Sequence, residues 1–141
     1  ASSQSLLDPP YTEGRTVPNF RRQRTPGGTY FFTLVTAGRQ PILTTPLAQK
    51  CLRSPIRREQ TARPFDLFAV MLLPDHLHAV WVLPPGDADY SIRWARIKEL
   101  FSRAYLTAGG RERAVSRSRA KRRGRGVWQP RFWEHTVRDE D

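Results

Sequence analysis

The stretch Leu73-Pro74-Asp75-His76-Leu77-His78-Ala79-Val80-Trp81-Val82 decides the fold of this chain. Its second part is apolar and contains β-branched and aromatic residues, a composition typical of a β-strand. The proline and aspartate before it favour a turn, because proline has a fixed φ and no N–H to donate. The pattern therefore predicts a β-hairpin that joins residues 65–73 to residues 76–83.

His76 and His78 lie two residues apart in this predicted strand, and side chains alternate between the faces of a strand. Both imidazoles are thus predicted on one face. Two neutral imidazoles can hold one divalent cation when a third ligand comes from elsewhere in the chain. The same spacing also fits two half-exposed polar side chains on the solvated face of a sheet.

Further regular elements are predicted before the hairpin. Residues 29–36 are aromatic and β-branched, and they predict a strand that is apolar on both faces and therefore central. Thr45 and Pro46 are typical of the N-cap and the first position of a helix. This helix is expected to run to about residue 60, with a kink or a break at Pro55.

A second helix is predicted at about residues 91–108, with Asp89 or Ser91 as its N-cap and two glycines after its end. Residues 127–137 predict a last strand. The order β-α-β-β-α-β indicates an α+β fold of the ferredoxin-like (RRM-like) type, an antiparallel sheet with helices packed on it. The first and third strands are central in this arrangement, so both histidines are predicted on a central strand.

Composition limits the domain organisation. Residues 1–28 are rich in Pro, Gly, Ser and Arg and predict an irregular N-terminal segment, followed by a single domain over residues 29–141. There is no apolar run of about 18 residues, so no membrane span is predicted. The N-terminus lacks a secretory pattern and Cys51 is the lone cysteine, which together favour a reducing, cytoplasmic compartment.

The net charge of +11 indicates a polyanionic partner. Residues 111–125 contain seven arginines and Lys121 against one acid, Glu112. This stretch lacks the interleaved apolar residues of a membrane-binding segment, so nucleic acid is the predicted partner. A solvated loop is the alternative interpretation of the same charges.

Four blocks of the sequence resemble the REP-associated tyrosine transposases. Residues 27–36 are similar to the first strand of that family, and residues 74–78 resemble its metal-binding HUH motif, histidine–hydrophobic–histidine. Residues 86–94 resemble the start of its second helix, and residues 127–135 with 138–140 resemble its last strand and the exit from it. The blocks occur in family order, and together they identify the chain as a member of this group of DNA strand-transfer enzymes.

The resemblance implies a chemistry. In the family, a tyrosine phenolate attacks a phosphodiester of single-stranded DNA and leaves a 5′-phosphotyrosine and a free 3′-OH, with a metal at the scissile phosphate. His76 and His78 would hold that metal, and Mg²⁺ or Mn²⁺ is expected because the ion must also bind phosphate oxygens. The nucleophilic tyrosine and a polar third ligand belong to a helix expected after Asp141, so the domain over residues 29–141 is predicted to lack that helix.

The family also implies that this chain binds single-stranded and hairpin DNA of the REP type. Phosphate contacts are expected from the second helix and the basic stretch, and Trp128 is a candidate for stacking on an unpaired base or for the core. The candidate DNA-binding residues are Arg93, Arg96, Lys98, Arg103, Arg117, Arg119, Lys121, Arg122, Arg123, Arg125 and Trp128.

Three interpretations of the function remain open on the sequence. The first is a transposase that cleaves and joins DNA in the complete protein. The second is a catalytically inactive module that keeps hairpin binding. The third is an RRM-like RNA-binding domain, although histidines stand on the third strand where aromatic residues would be expected. His135 and Glu134 on the last strand are candidates for a substitute third ligand, or else ordinary packed or surface residues.

Overall fold

The computed structural model describes residues 25–112 and 126–137. Four strands and two helices follow one another in the predicted order. The elements are β1 Thr29–Val35, α1 Pro46–Ala62, β2 Asp66–Leu73, β3 His76–Val82, α2 Tyr90–Thr107 and β4 Trp133–Val137. A short 3₁₀ turn, Ala37–Arg39, follows β1.

All strand pairs in the sheet are antiparallel, and the strand order is β2-β3-β1-β4. The predicted ferredoxin-like arrangement is thereby confirmed, with β1 and β3 in the centre. The register pairs Val35 of β1 with His76 of β3 and Thr33 with His78. The C-terminal end of β1 therefore lies beside the start of the strand that carries both histidines.

The two faces of the sheet have different roles. Tyr30, Phe32 and Leu34 of β1 are buried on the face that the helices cover. The Phe32 ring packs edge-on against Trp81 of β3 and Trp94 of α2, with centroid distances of 4.8 and 5.4 Å. The alternate residues of both central strands, the histidines among them, point to the opposite face.

Both helices begin at the capping residues that the sequence indicates. The Thr45 side chain accepts a hydrogen bond from the N–H of Ala48, and the Asp89 side chain accepts one from Ile92. Of the expected kink or break at Pro55, the break is wrong, because α1 runs over 17 residues and contains Pro55 as a buried residue. Burial of this helix face outweighs the loss of one backbone hydrogen bond.

The last strand is shorter than residues 127–137. It begins at Trp133, and Trp128 forms only an isolated bridge with Thr36. The Lys98 ammonium of α2 donates hydrogen bonds to the carbonyls of Gln129 and Pro130. These bonds attach the segment before β4 to α2. Across the two described ranges, no helix has both the length and the apolar character needed to cross a bilayer.

Candidate metal centre and nucleic-acid surface

His76 and His78 lie at the start of β3 on the face of the sheet opposite the helices, and both are nearly inaccessible, with 1% and 3% of their surface exposed. Their ring centroids are 4.9 Å apart. The prediction that the two imidazoles share one face is confirmed. The alternative of two half-exposed polar residues is wrong, since both rings are buried.

The carboxylate of Asp75 orients the first ring. His76 Nδ1 lies 2.9 Å from Asp75 Oδ1, and Arg39 Nε donates to Asp75 Oδ2 at 2.9 Å. A carboxylate only accepts hydrogen bonds, so in the neutral form of His76 the proton is on Nδ1 and the lone pair is on Nε2. A carboxylate behind a histidine is the usual support for a metal-binding imidazole.

The second ring is held from β1. His78 Nδ1 lies 3.0 Å from Thr33 Oγ1, and the Phe31 ring stacks on the imidazole with centroids 5.1 Å apart. The Nε2 atoms of His76 and His78 are buried and have no hydrogen-bond partner among the described residues. Buried polar atoms are rarely left in this state, so two such nitrogens on neighbouring rings fit a bound cation.

The charge states of His78 and Asp75 are those that favour cation binding. Burial lowers the pKa of His78, and the neighbouring His76 lowers it further, so its imidazole is neutral at pH 7. Burial tends to raise the pKa of Asp75, but hydrogen bonds from His76 and Arg39 outweigh this and the net pKa is lowered. The site thus combines a neutral ligand with an ionised supporting carboxylate.

A third ligand does not come from the described residues, where no group of three His, Cys, Asp or Glu side chains could hold a metal. His135 lies on the same face of the sheet as the histidine pair but pairs with Phe31 on the far side of β1. Two strand spacings, about 10 Å, separate it from β3. Glu134 pairs with Phe32 and faces the helices. Neither residue can complete the histidine pair.

The structure corrects the expectation for Arg93. Only 2% of this residue is exposed, and its guanidinium is bound inside the protein. It donates to both carboxylate oxygens of Asp87 at 3.0 and 2.8 Å, and to the carbonyls of Arg63, Pro64 and Asp89. Arg93 joins α2 to the chain before β2 and is not available to a DNA phosphate.

Other cations of α2 reach the surface. Arg96 and Arg103 have 43% and 68% of their side chains exposed, and both pair with Glu99. Lys98 instead holds the segment before β4. These residues belong to a helix on the covered face, so the structure does not bring them to the histidines. They stay candidates for a separate DNA contact.

Trp128 is a core residue, which corrects the stacking interpretation. It is 3% exposed, and its ring packs edge-on against Phe101 with a centroid distance of 5.3 Å. The six basic candidates between Arg117 and Arg125 lie outside the described residues, as do residues 1–24 of the expected irregular segment.

The sequence reasoning missed the residues that support the histidines. The turn accounts for Asp75 in the sequence, although an acid directly before a histidine pair is itself a signal for an orienting carboxylate. Thr33 and Arg39 carry no such signal, since their roles depend on the pairing of β1 with β3.

Comparison with known proteins supports the resemblance to the REP-associated tyrosine transposases. A REP-associated tyrosine transposase of Escherichia coli (strain K12) is 38% identical over 120 residues, which are 85% of this chain and 62% of that protein. A relative from Haemophilus influenzae with the same family name is 38% identical over 122 residues, 86% of this chain and 67% of the relative. The chain belongs to the REP-associated tyrosine transposase family. It spans less than two thirds of the length of the Escherichia coli protein.

Solved structures agree with this family membership. A REP-associated tyrosine transposase bound to a REP hairpin superposes with a TM-score of 0.66 and 36% identity, over 87% of this chain and 64% of that one. A Deinococcus radiodurans R1 protein named as a transposase shares the fold, with a TM-score of 0.57 and 17% identity over 89% and 88% of the chains. No family model matches the sequence.

Proposed function

We propose that this chain binds hairpin DNA with an adjacent single strand, of the REP type, and that the complete protein cleaves and joins such DNA. The observation that carries the proposal is the pair of buried Nε2 atoms of His76 and His78, each on a ring fixed by another side chain. Similarity to a transposase whose solved structure contains a REP hairpin supports the choice of DNA.

We assign His76 and His78 as ligands of Mg²⁺ or Mn²⁺. The bound ion would neutralise charge on the scissile phosphate. Asp75 keeps the proton of His76 on Nδ1, and the Thr33 hydroxyl and the Phe31 ring fix the orientation of His78. Two imidazoles bind either ion weakly, so the complete site needs a further oxygen ligand.

The proposed reaction is a transesterification. A tyrosine oxygen, on a helix that we place after Asp141, attacks phosphorus, and the 3′ oxygen leaves and takes a proton. The product is a 5′-phosphotyrosine with a free 3′-OH. Because the step exchanges one phosphate ester for another, attack by a 3′-OH on the phosphotyrosine rejoins the strand and releases the tyrosine.

Binding of the DNA backbone is proposed to rest on charge. The net charge is +11, and Arg96 and Arg103 expose their guanidinium groups on α2. Affinity is therefore expected to fall steeply as salt is raised. A buried, free Cys51 is compatible with the reducing cytoplasm, where we place the protein.

The decisive experiment uses the complete protein with a 5′-extended hairpin oligonucleotide and Mn²⁺. A denaturing gel is expected to show a covalent protein–DNA adduct, and His78→Ala is expected to abolish it while hairpin binding persists. Lys50→Ala, on the exposed surface of α1, is the matched control. Binding without any adduct in the unaltered protein would support the inactive hairpin-binding module instead, and preference for an RNA hairpin would support the RNA-binding alternative.

A further inference from the structure

The connection between β1 and α1 contains a residue with an unusual backbone. Arg39 ends the 3₁₀ turn Ala37–Arg39 with a φ of 54°. In the described ranges it is the one residue other than glycine with a positive φ. Side chains disfavour this region because Cβ approaches the carbonyl oxygen. Such conformations persist where the surroundings impose them, and they cluster at functional sites.

Hydrogen bonds to the neighbouring hairpin impose this conformation. The Arg39 N–H donates to the carbonyl of Thr36 at 3.0 Å, and Thr36 in turn donates its N–H to the carbonyl of Asp75 at 3.0 Å. Further along the connection, the N–H of Leu43 donates to the carbonyl of Pro74 at 2.9 Å. These hydrogen bonds bind the connection to the turn that precedes the histidines. The Arg39 side chain points to the same turn, where it contacts Asp75.

The guanidinium of Arg39 is only partly used. Its Nε donates to Asp75 at 2.9 Å, while 53% of the side chain is exposed. Within the described part of the chain, the two terminal amino groups make no hydrogen bond. A guanidinium offers its N–H groups in a planar fork that matches a phosphate. This fork is available at the edge of the histidine pair.

Stability does not account for this arrangement. Exposed ion pairs contribute little to the free energy of unfolding, and the Arg39 side chain is more than half exposed. A strained backbone at that position would be avoided by glycine, which adopts positive φ freely. A ligand for the terminal amino groups would explain why an arginine stands there.

We propose that Arg39 binds a backbone phosphate of the single strand that lies at His76 and His78. Nε stays on Asp75 and fixes the plane of the fork, and the terminal amino groups bind the phosphate oxygens. The inference rests on the proposed function, because it assumes that single-stranded DNA binds at the face of the sheet that carries both histidines. Arg39 is then a substrate-binding residue, distinct from the metal ligands.

The test measures DNA affinity as a function of salt. The probe is a fluorescent DNA hairpin with a single-stranded 5′ extension, and a hairpin without the extension is measured in parallel. Arg39→Gln is expected to reduce the slope of log K against log[salt] by about 0.7 for the extended probe, and to weaken binding about fivefold at 0.1 M salt. Binding of the blunt hairpin is expected to be unchanged.

Two variants act as controls for charge and position. Arg58→Gln removes an exposed arginine from α1, which packs on the opposite face of the sheet, and it is expected to leave both probes unaffected. Arg39→Lys keeps the charge and is expected to restore the salt slope, although with weaker binding, because an ammonium cannot bind Asp75 and the phosphate in the same fork geometry.

A third variant separates a direct contact from an effect through the histidine. Asp75→Asn disturbs His76 but leaves the charge of Arg39, so the salt slope is expected to persist. An equal loss of slope in Asp75→Asn and Arg39→Gln would overturn the direct contact. Unaltered slope in Arg39→Gln would refute the inference and leave the proposed function intact. Failure of the unaltered protein to bind either probe would overturn both.

Discussion

Asp87 supplies the carboxylate that pairs with the buried guanidinium of Arg93, and the substitution Asp87→Asn tests how much this pair contributes to stability. Arg93 is 2% exposed and its two terminal amino groups contact both Asp87 oxygens, at 3.0 and 2.8 Å. Asparagine keeps the shape but loses the charge, which leaves a buried cation bound to carbonyl groups alone. The protein is therefore expected to be less stable at neutral pH.

The magnitude follows from the titration of Asp87. The hydrogen bond from Arg93 is the largest cause that lowers its pKa, from 3.8 to about 2. A shift of this size corresponds to about 2.4 kcal/mol of unfolding free energy at 1.36 kcal/mol per pH unit. Solvent reaches 31% of the Asp87 side chain and screens the pair, so we expect about 2 kcal/mol.

The pH dependence has a definite sign. The folded-state pKa lies below the unfolded value, so the stabilisation is complete above pH 3.8 and is lost as the pH falls through about 2. Urea unfolding of both proteins is measured at pH 7 and pH 3. The difference between them is expected to fall to about half at pH 3.

Asp66→Asn is the matched control, since Asp66 is exposed at the first position of β2. It is expected to leave the stability within about 0.5 kcal/mol of the unaltered protein. A difference between Asp87→Asn and the unaltered protein that stays constant from pH 7 to pH 3 would refute the reasoning, because it would not arise from the charge of Asp87.

Three further predictions concern other parts of the molecule. Because burial lowers the pKa of His78, an NMR titration is expected to give a midpoint below 6.5 for this ring; a midpoint at or above 6.5 would contradict the burial of the site. Gly110→Ala places a methyl group against the buried ring of Tyr105 and is expected to destabilise the fold by about 1–3 kcal/mol in urea, whereas an unchanged midpoint would show that the ring moves aside. Thr45→Ala removes the hydrogen bond to the N–H of Ala48 and is expected to cost about 1 kcal/mol by thermal unfolding, while Thr45→Ser should retain most of it.

Local patterns in the sequence were sufficient to predict the fold. The alternation around His76 and His78 predicted a strand and the face that they share, and a turn before it predicted the hairpin. Caps at Thr45 and Asp89 predicted where both helices begin. Each of these signals depends on residues within a few positions of one another, so a single sequence contains them.

Burial of charged and aromatic residues could not be predicted in the same way. Arginine is usually a surface residue. Arg93 is buried because Asp87 and two carbonyl groups from before β2 accept hydrogen bonds from its guanidinium. Trp128 is buried because it meets Phe101 from another element. The role of Arg39 likewise depends on a contact with the hairpin turn. Apart from the Asp87–Arg93 pair, which spans six residues, these contacts join residues far apart in sequence, and local propensity does not encode them.

The central position of β1 has a consequence for how the chain folds. This strand pairs with β3 on one side and with β4 on the other, and Thr29 lies opposite both Val82 and Val137. The β2–β3 hairpin can form locally. Pairing of β1 with β3 and β4 requires the closure of long loops, which is slow because it costs chain entropy. During synthesis, β1 would leave the ribosome long before β4, with a row of backbone donors and acceptors still exposed. We therefore expect folding to be limited by capture of β1, and premature termination before β4 to yield aggregation-prone chains.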